Sequence, residues 1–151
     1  MTDRASCVFC RIVDRANEPA SYVAEEEDAV AFLDVHPINE GHTLVVPRAH
    51  EESFVDLDDA ATAAMWSLAR RVAAGLRRSG LRCDGIDLFL ADGVAAGQEV
   101  LHAHLHVLPR WEGDGFGFRF PPHYGPAAAR DALEETAGRI RAAFGRGLPA
   151  S

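Results

Sequence analysis

The sequence has no apolar run approaching the ~20 residues needed to span a bilayer, which excludes a transmembrane helix. Its opening, MTDRASC, lacks the basic-then-apolar layout of an export signal, so a cytoplasmic protein with no membrane partner is expected. Positive charge is scarce: 15 Lys and Arg against 23 Asp and Glu give a formal charge of −8. Phosphate backbones attract surfaces of the opposite sign, so a general nucleic-acid binder is excluded and any phosphate ligand must be held by local donors. Cysteine is sparse as well, and three residues in a chain without an export signal do not form a disulfide framework. Cys83 reads as a buried or partly buried thiol. Internal repeats and low-complexity segments are missing.

The 151 residues that remain to be explained suit a single domain, residues 1–151, with composition typical of a globular chain. CVFCRIVD (7–14) carries apolar side chains at 8, 9, 12 and 13, which predicts one or two helical turns. SYVAEEE and AVAFLDV, separated by an acidic turn, look like an antiparallel pair of strands. The turn His36-Pro37-Ile38-Asn39-Glu40-Gly41 leads into a third strand, His42–Pro47, that proline stops. Asp56 or Asp58 could cap a long helix to about Ser79, with a stripe of Ala61, Met65, Leu68, Val72 and Leu76 and with Arg77 and Arg78 in its last turn. Residues 86–91 read as a strand and 92–98 as a loop. After a fifth strand and a loop rich in glycine, proline and aromatics, Pro126 opens a last helix to about Phe144. The expected fold class is α+β: a mostly antiparallel sheet of about five strands, one long helix, a short N-terminal helix and a C-terminal helix.

That fifth strand is LHAHLHVLPR (101–110), with histidine at every second position. Residues two apart in a strand share a face about 6.6 Å apart, so His102, His104 and His106 line one side over about 13 Å while Ala103, Leu105 and Val107 face the core. A solvated strand face tolerant of histidine is the bland alternative. One metal ion held by all three is excluded by their spread, because ligands about 2.1 Å from an ion must lie closer together. The outer two therefore serve different purposes. A neutral imidazole is a good nucleophile and a protonated one stabilises phosphoryl charge, so the run suits attack on phosphorus.

GQEVLHAHLHVL (97–108) resembles the signature of the histidine triad (HIT) family, and AVAFLDVHPINEGHTLVVPRAH is similar to its other characteristic block, a likeness covering roughly residues 7–120. The resemblance implies a homodimeric nucleotide hydrolase or transferase acting at an α-phosphate through a covalent nucleotidyl-histidine. It implies His104 as nucleophile, His106 against the α-phosphate and leaving group, and His42 as a further active-site histidine. Gln98 would contact phosphate, Asp34 would accept from the ribose hydroxyls, and Phe9, Ile12 and Phe32 would flank a purine base. An acceptor-only carboxylate suits a diol, and an uncharged amide suits phosphate. The sequence departs from the family at Ala91-Asp92, where asparagine is common, and at Glu99, where a small polar residue is common. Both departures bring charge or lose donors near the expected phosphate; Glu99 could turn away, or pair with Arg110 or a histidine.

Cys7-Val8-Phe9-Cys10 has metal-ligand spacing, although redox pairs share it. In zinc-carrying HIT proteins such a pair is joined by a histidine following the third strand and by the first histidine of the triad, which here are His50 and His102. The resemblance thus implies a structural Cys7, Cys10, His50 and His102 zinc site, with reduced thiols as the alternative. His36 and His123 carry no assignment. The functions left open are release of AMP or GMP from a phosphoramidate or nucleotidyl ester, cleavage of a dinucleoside polyphosphate, and nucleotide binding without turnover.

Overall fold

The computed structural model describes residues 3–144, so the ends of the expected 1–151 domain lie outside it. The chain forms two compact units, divided between Asp114 and Gly115. In the first unit, helix α1 (Val8–Val13) precedes strands β1 (Tyr22–Glu25), β2 (Ala29–Leu33) and β3 (Thr43–Pro47). Helix α2 (Asp59–Leu76) follows, and then β4 (Gly85–Phe89) and β5 (Leu105–Arg110). The five strands form one antiparallel sheet in the order β1-β2-β3-β5-β4, as expected for the α+β class.

Both sheet faces are covered, and period-two alternation decides which residue faces which helix. Ala29, Ala31, Val45, Leu105 and Val107 pack with the α2 stripe of Ala61, Met65, Leu68, Ala69, Val72 and Leu76. Val30, Phe32, Leu44 and Val46 pack on the other face with Phe9, Cys10, Ile12 and Val13. A strand buried on both sides reads as a continuous apolar run, which is why AVAFL and TLVVP show little polar alternation. The α1 face is the one on which the histidines lie.

Several boundaries differ from the sequence reading. Asp58, not Asp56, caps α2 by accepting from the Ala61 amide, while Asp56 closes a short 3-10 turn at Phe54–Asp56. The helix stops at Leu76 rather than Ser79: Arg77 is its C-cap, and Gly80 turns the chain at φ +83°. Strands β1, β2 and β4 are shorter than expected, and the 92–98 loop contains a 3-10 turn at Val94–Ala96. Strand β5 begins at Leu105, so His102 and His104 precede it. Backbone groups between them have other partners: the Ala103 amide donates to the Glu51 carbonyl, and the His102 carbonyl accepts from the His104 ring.

In the second unit, the rings of Phe120 and Tyr124 stack at 4.2 Å, and helix α3 (Arg130–Phe144) begins four residues after Pro126. Ala127, Ala128 and Ala129 are exposed, so an earlier start would add little packing to offset the cost of ordering the turn.

Candidate functional site

The start of α1, the end of β3 and the segment before β5 bring Cys7, Cys10, His50 and His102 together, their ligand atoms all within 4.8 Å of one another. Four donors at about 2.0–2.3 Å from an ion, on the corners of a tetrahedron, stand about 3.3–3.8 Å apart. The His102 Nδ1 lies 3.6 Å from the Cys7 Sγ, 3.5 Å from the Cys10 Sγ and 3.4 Å from the His50 Nδ1, and the Cys10 Sγ lies 3.1 Å from the His50 Nδ1. The spacing therefore fits a tetrahedral N₂S₂ centre. The His102 Nε2–H donates to the Pro47 carbonyl at 2.9 Å, an acceptor that fixes the proton there and leaves the Nδ1 lone pair aimed at the cluster. Burial pushes the His102 imidazole down to about 4 and, aided by Cys7, the Cys10 thiol up to about 12, so metal-free protein holds both neutral.

The same reasoning assigns the protons of the other histidines. The His104 Nδ1–H donates to the His102 carbonyl at 2.7 Å, which leaves Nε2 as the ring's lone-pair nitrogen. His104 is 5 % exposed, packs edge-on against Phe9 with centroids 5.0 Å apart and stands 4.9 Å from the ring of His106. Burial holds His104 below the ordinary imidazole range despite that carbonyl, so the lone pair is retained near neutral pH. This is the state that a nucleophile requires.

His42 precedes β3, and its ring nitrogens face two different partners. The Ile38 amide donates to Nδ1 at 3.3 Å, while Nε2 stands 2.9 Å from the His106 Nδ1. An amide N–H can only donate, so the His42 proton sits on Nε2 and is given to the His106 Nδ1, which places the His106 proton on its own Nε2. Asp34, 3.5 Å from the His42 Nδ1, is a charge neighbour beyond good hydrogen-bond length. Burial pushes His42 down and, with His104 and His42 beside it, pushes His106 down to about 4. His106 lies in register with Leu44 on one side and Phe89 on the other, and the Phe89 ring stacks on it at 4.3 Å and 8°.

Among the other expected site residues, Phe9, Ile12 and Phe32 are buried together on the α1 face, with Phe9 edge-on to both Phe32 and His104. Asp34 is partly exposed and accepts from the His36 amide. Gln98 has both amide hydrogens occupied: Nε2 donates to the carbonyls of Glu52 and Val100, while Oε1 accepts from the Gly93 amide. In this conformation it braces the loop, and no Nε2 hydrogen remains for a phosphate.

The charge expected to trouble that loop is disposed of locally. The Asp92 carboxylate accepts from the Ser53 hydroxyl and the Phe54 amide and so caps the 3-10 turn. Glu99 is exposed, and Arg110, its suggested partner, instead pairs with Asp87 and Asp114. Phe89 and Asn39 escaped the sequence reading. An aromatic inside an apolar run looks like core, and an asparagine in a turn looks like a turn former. Only the register of β4 on β5 identifies the first, and only tertiary hydrogen bonds identify the second.

The HIT domain family matches residues 15–113. A HIT-like protein of Borreliella burgdorferi is 42% identical over 115 residues, covering 75% of this chain and 81% of that protein. A HIT-like protein of Mycobacterium tuberculosis is 37% identical over 134 residues, 89% of each chain. Among solved structures, a HIT family protein from Bacillus anthracis superposes with a TM-score of 0.81 at 32% identity, covering 91% of this chain and 96% of that one. A zinc-bound histidine triad family protein from Mycobacterium smegmatis superposes with a TM-score of 0.72 at 36% identity, covering 93% and 99%.

Proposed function

The chain belongs to the HIT domain family, and from that premise we propose that it is a nucleotide hydrolase acting at the α-phosphate of purine nucleotide conjugates. The carrying observation is the His104 ring, buried, neutral and held by the His102 carbonyl so that Nε2 keeps its lone pair. In the proposed reaction Nε2 attacks the α-phosphorus, a P–N bond forms, and the bond to the leaving group breaks with its electron pair passing to the leaving atom. Water then attacks phosphorus and gives up a proton to the solvent, the P–N electron pair returns to Nε2, and AMP or GMP is released. Through both steps Nδ1–H goes on donating to the carbonyl, which steadies the ring while Nε2 carries the nucleotidyl group.

The His106 Nε2–H, set by His42, is the donor available to an α-phosphate oxygen or the leaving atom as charge develops. Asp34 serves as acceptor for the ribose diol, and Phe9, Ile12 and Phe32 border the base. The Cys7, Cys10, His50 and His102 set supports structural zinc on donor chemistry and spacing; when bound, the ion ties the start of α1 to the sheet without an open coordination position. A cytoplasmic homodimer of single-domain chains completes the proposal, and light scattering tests its assembly.

The saturated amide of Gln98 and the alanine at 91 favour a second reading, nucleotide binding without turnover, because neither side chain offers phosphate a donor. Incubation with an adenosine phosphoramidate and with diadenosine tetraphosphate separates these readings. AMP from the first supports the phosphoramidate hydrolase, AMP from the second alone shifts the substrate to dinucleoside polyphosphates, and neither, with a melting temperature raised by AMP, leaves binding alone. His104→Ala should abolish release; undiminished AMP from that variant would rule out the covalent route.

A further inference from the structure

Asn39 is a polar side chain in the turn before β3, 7 % exposed and without an assigned role. Its Nδ2 donates to two acceptors, the Pro109 carbonyl at 2.9 Å and the Asp114 Oδ2 at 2.9 Å. Pro109 lies in β5 and Asp114 in the turn after it, so Asn39 pins the 36–41 turn to the end of the strand that carries His106. The Asp114 carboxylate is 2 % exposed and is itself held by the Arg110 guanidinium, whose Nη2 donates to Oδ1 at 2.8 Å. The anchor is therefore buried, charge-assisted and rigid.

What the anchored turn holds in place is the Ile38 amide, next in sequence to Asn39. That amide donates to the His42 Nδ1, and the His42 amide in turn donates to the Asn39 carbonyl at 3.0 Å. Backbone and ring of His42 are thus both bonded to the two residues that Asn39 fixes. If the Ile38 amide moves away, Nδ1 is free to take the proton and turn it toward Asp34, 3.5 Å distant. Nε2 then becomes an acceptor, the His106 Nδ1 must donate to it, and the His106 Nε2 is left with a lone pair facing the site.

We infer that Asn39 is a positioning residue for the proposed hydrolysis: it fixes the turn whose amide sets the tautomers of His42 and His106, so that His106 presents a donor rather than a lone pair. The inference rests on the proposed hydrolase reading for its kinetic consequence, but not for its effect on the tautomers. A donor on the leaving atom matters most where that atom must carry charge poorly. Loss of Asn39 should therefore fall on substrates with poor leaving groups and spare those with good ones.

The test compares wild type, Asn39→Ala and the near-isosteric Asn39→Asp, which removes the two donors without changing side-chain size. Single-turnover release is measured from the p-nitrophenyl ester and from an alkyl ester of AMP. The expected result is a loss of about tenfold or more on the alkyl ester, less than about threefold on the nitrophenyl ester, and KM little changed. In parallel, nitrogen NMR of ¹⁵N-histidine-labelled protein should show the His42 and His106 protons on Nε2 in wild type and displaced in the variants. Equal losses on both esters, or unchanged tautomers in the variants, would overturn the inference. So would a wild-type His42 protonated at Nδ1, a result that needs no variant to fold. A wild type inactive on both esters would defeat the hydrolase reading, while the NMR comparison still decides the role of Asn39.

Discussion

Stripping the proposed zinc from the protein, or replacing Cys10 by serine, should lower its melting temperature by about 8–20 °C. The proposed ion joins Cys7 to His102 across 95 positions and Cys10 to His50 across 40. A cross-link closing loops of those lengths removes about 4–5 kcal/mol of unfolded-state entropy. A chain of this size shifts by about 2–4 °C per kcal/mol, which gives the stated range. Calorimetry before and after chelation, with metal analysis of freshly purified protein, is the assay. The effect should shrink as pH falls, because each thiol must lose its proton to the metal and burial holds the Cys10 thiol at about 12 without it. A chelated protein melting within about 2 °C of the loaded one, or near-zero metal content on purification, would refute the cross-link.

Two further outcomes test the description. His106 has its pKa lowered by folding, so its contribution to stability is fully present above the ordinary imidazole value of 6.5 and is lost as pH falls from there toward about 4. After discounting for its partial exposure, the loss is about 2 kcal/mol. Urea melts of His106→Asn and wild type should accordingly converge between pH 7 and 5, and parallel curves would contradict the burial assigned to this ring. Gly41 sits at φ +91°, and a Cβ there would lie 3.0 Å from methyl carbons of both Leu76 and Leu81. Gly41→Ala should therefore cost about 1–3 kcal/mol through backbone strain and overpacking, read as a lower urea midpoint with unchanged slope. A midpoint equal to wild type would show that the turn can relax.

The sheet order was not written in the sequence, but the division of faces along the histidine run was. There alternation separates Ala103, Leu105 and Val107 from the histidines, whereas AVAFL and TLVVP are apolar on both faces, so only the helices packed on them tell their two sides apart. The four clustered ligands were legible through the resemblance and less so from spacing alone, since Cys-x-x-Cys names two donors and leaves the others unspecified. Strand limits were less legible. LHAHLHVLPR alternates throughout, yet pairing begins only at Leu105, because the peptide groups before it bond to Glu51 and to the His104 ring. The same holds for Gln98 and Asp92, whose residue types promised contact with phosphate or repulsion from it. Both side chains bind the 50–54 segment or their own loop, partners that only tertiary proximity could reveal.

One peptide group stands between the two centres. The ring of His102 belongs to the cysteine cluster, whereas its carbonyl holds the proton of His104. A carbonyl oxygen is supplied by every amino acid, so the orientation of the His104 imidazole asks for a backbone path and not for a histidine at 102. The proposed metal site and the proposed nucleophile are consequently separable under mutation. A descendant could exchange His102 and both cysteines for apolar packing, lose the ligand cluster, and still present the same nitrogen of His104 to the site.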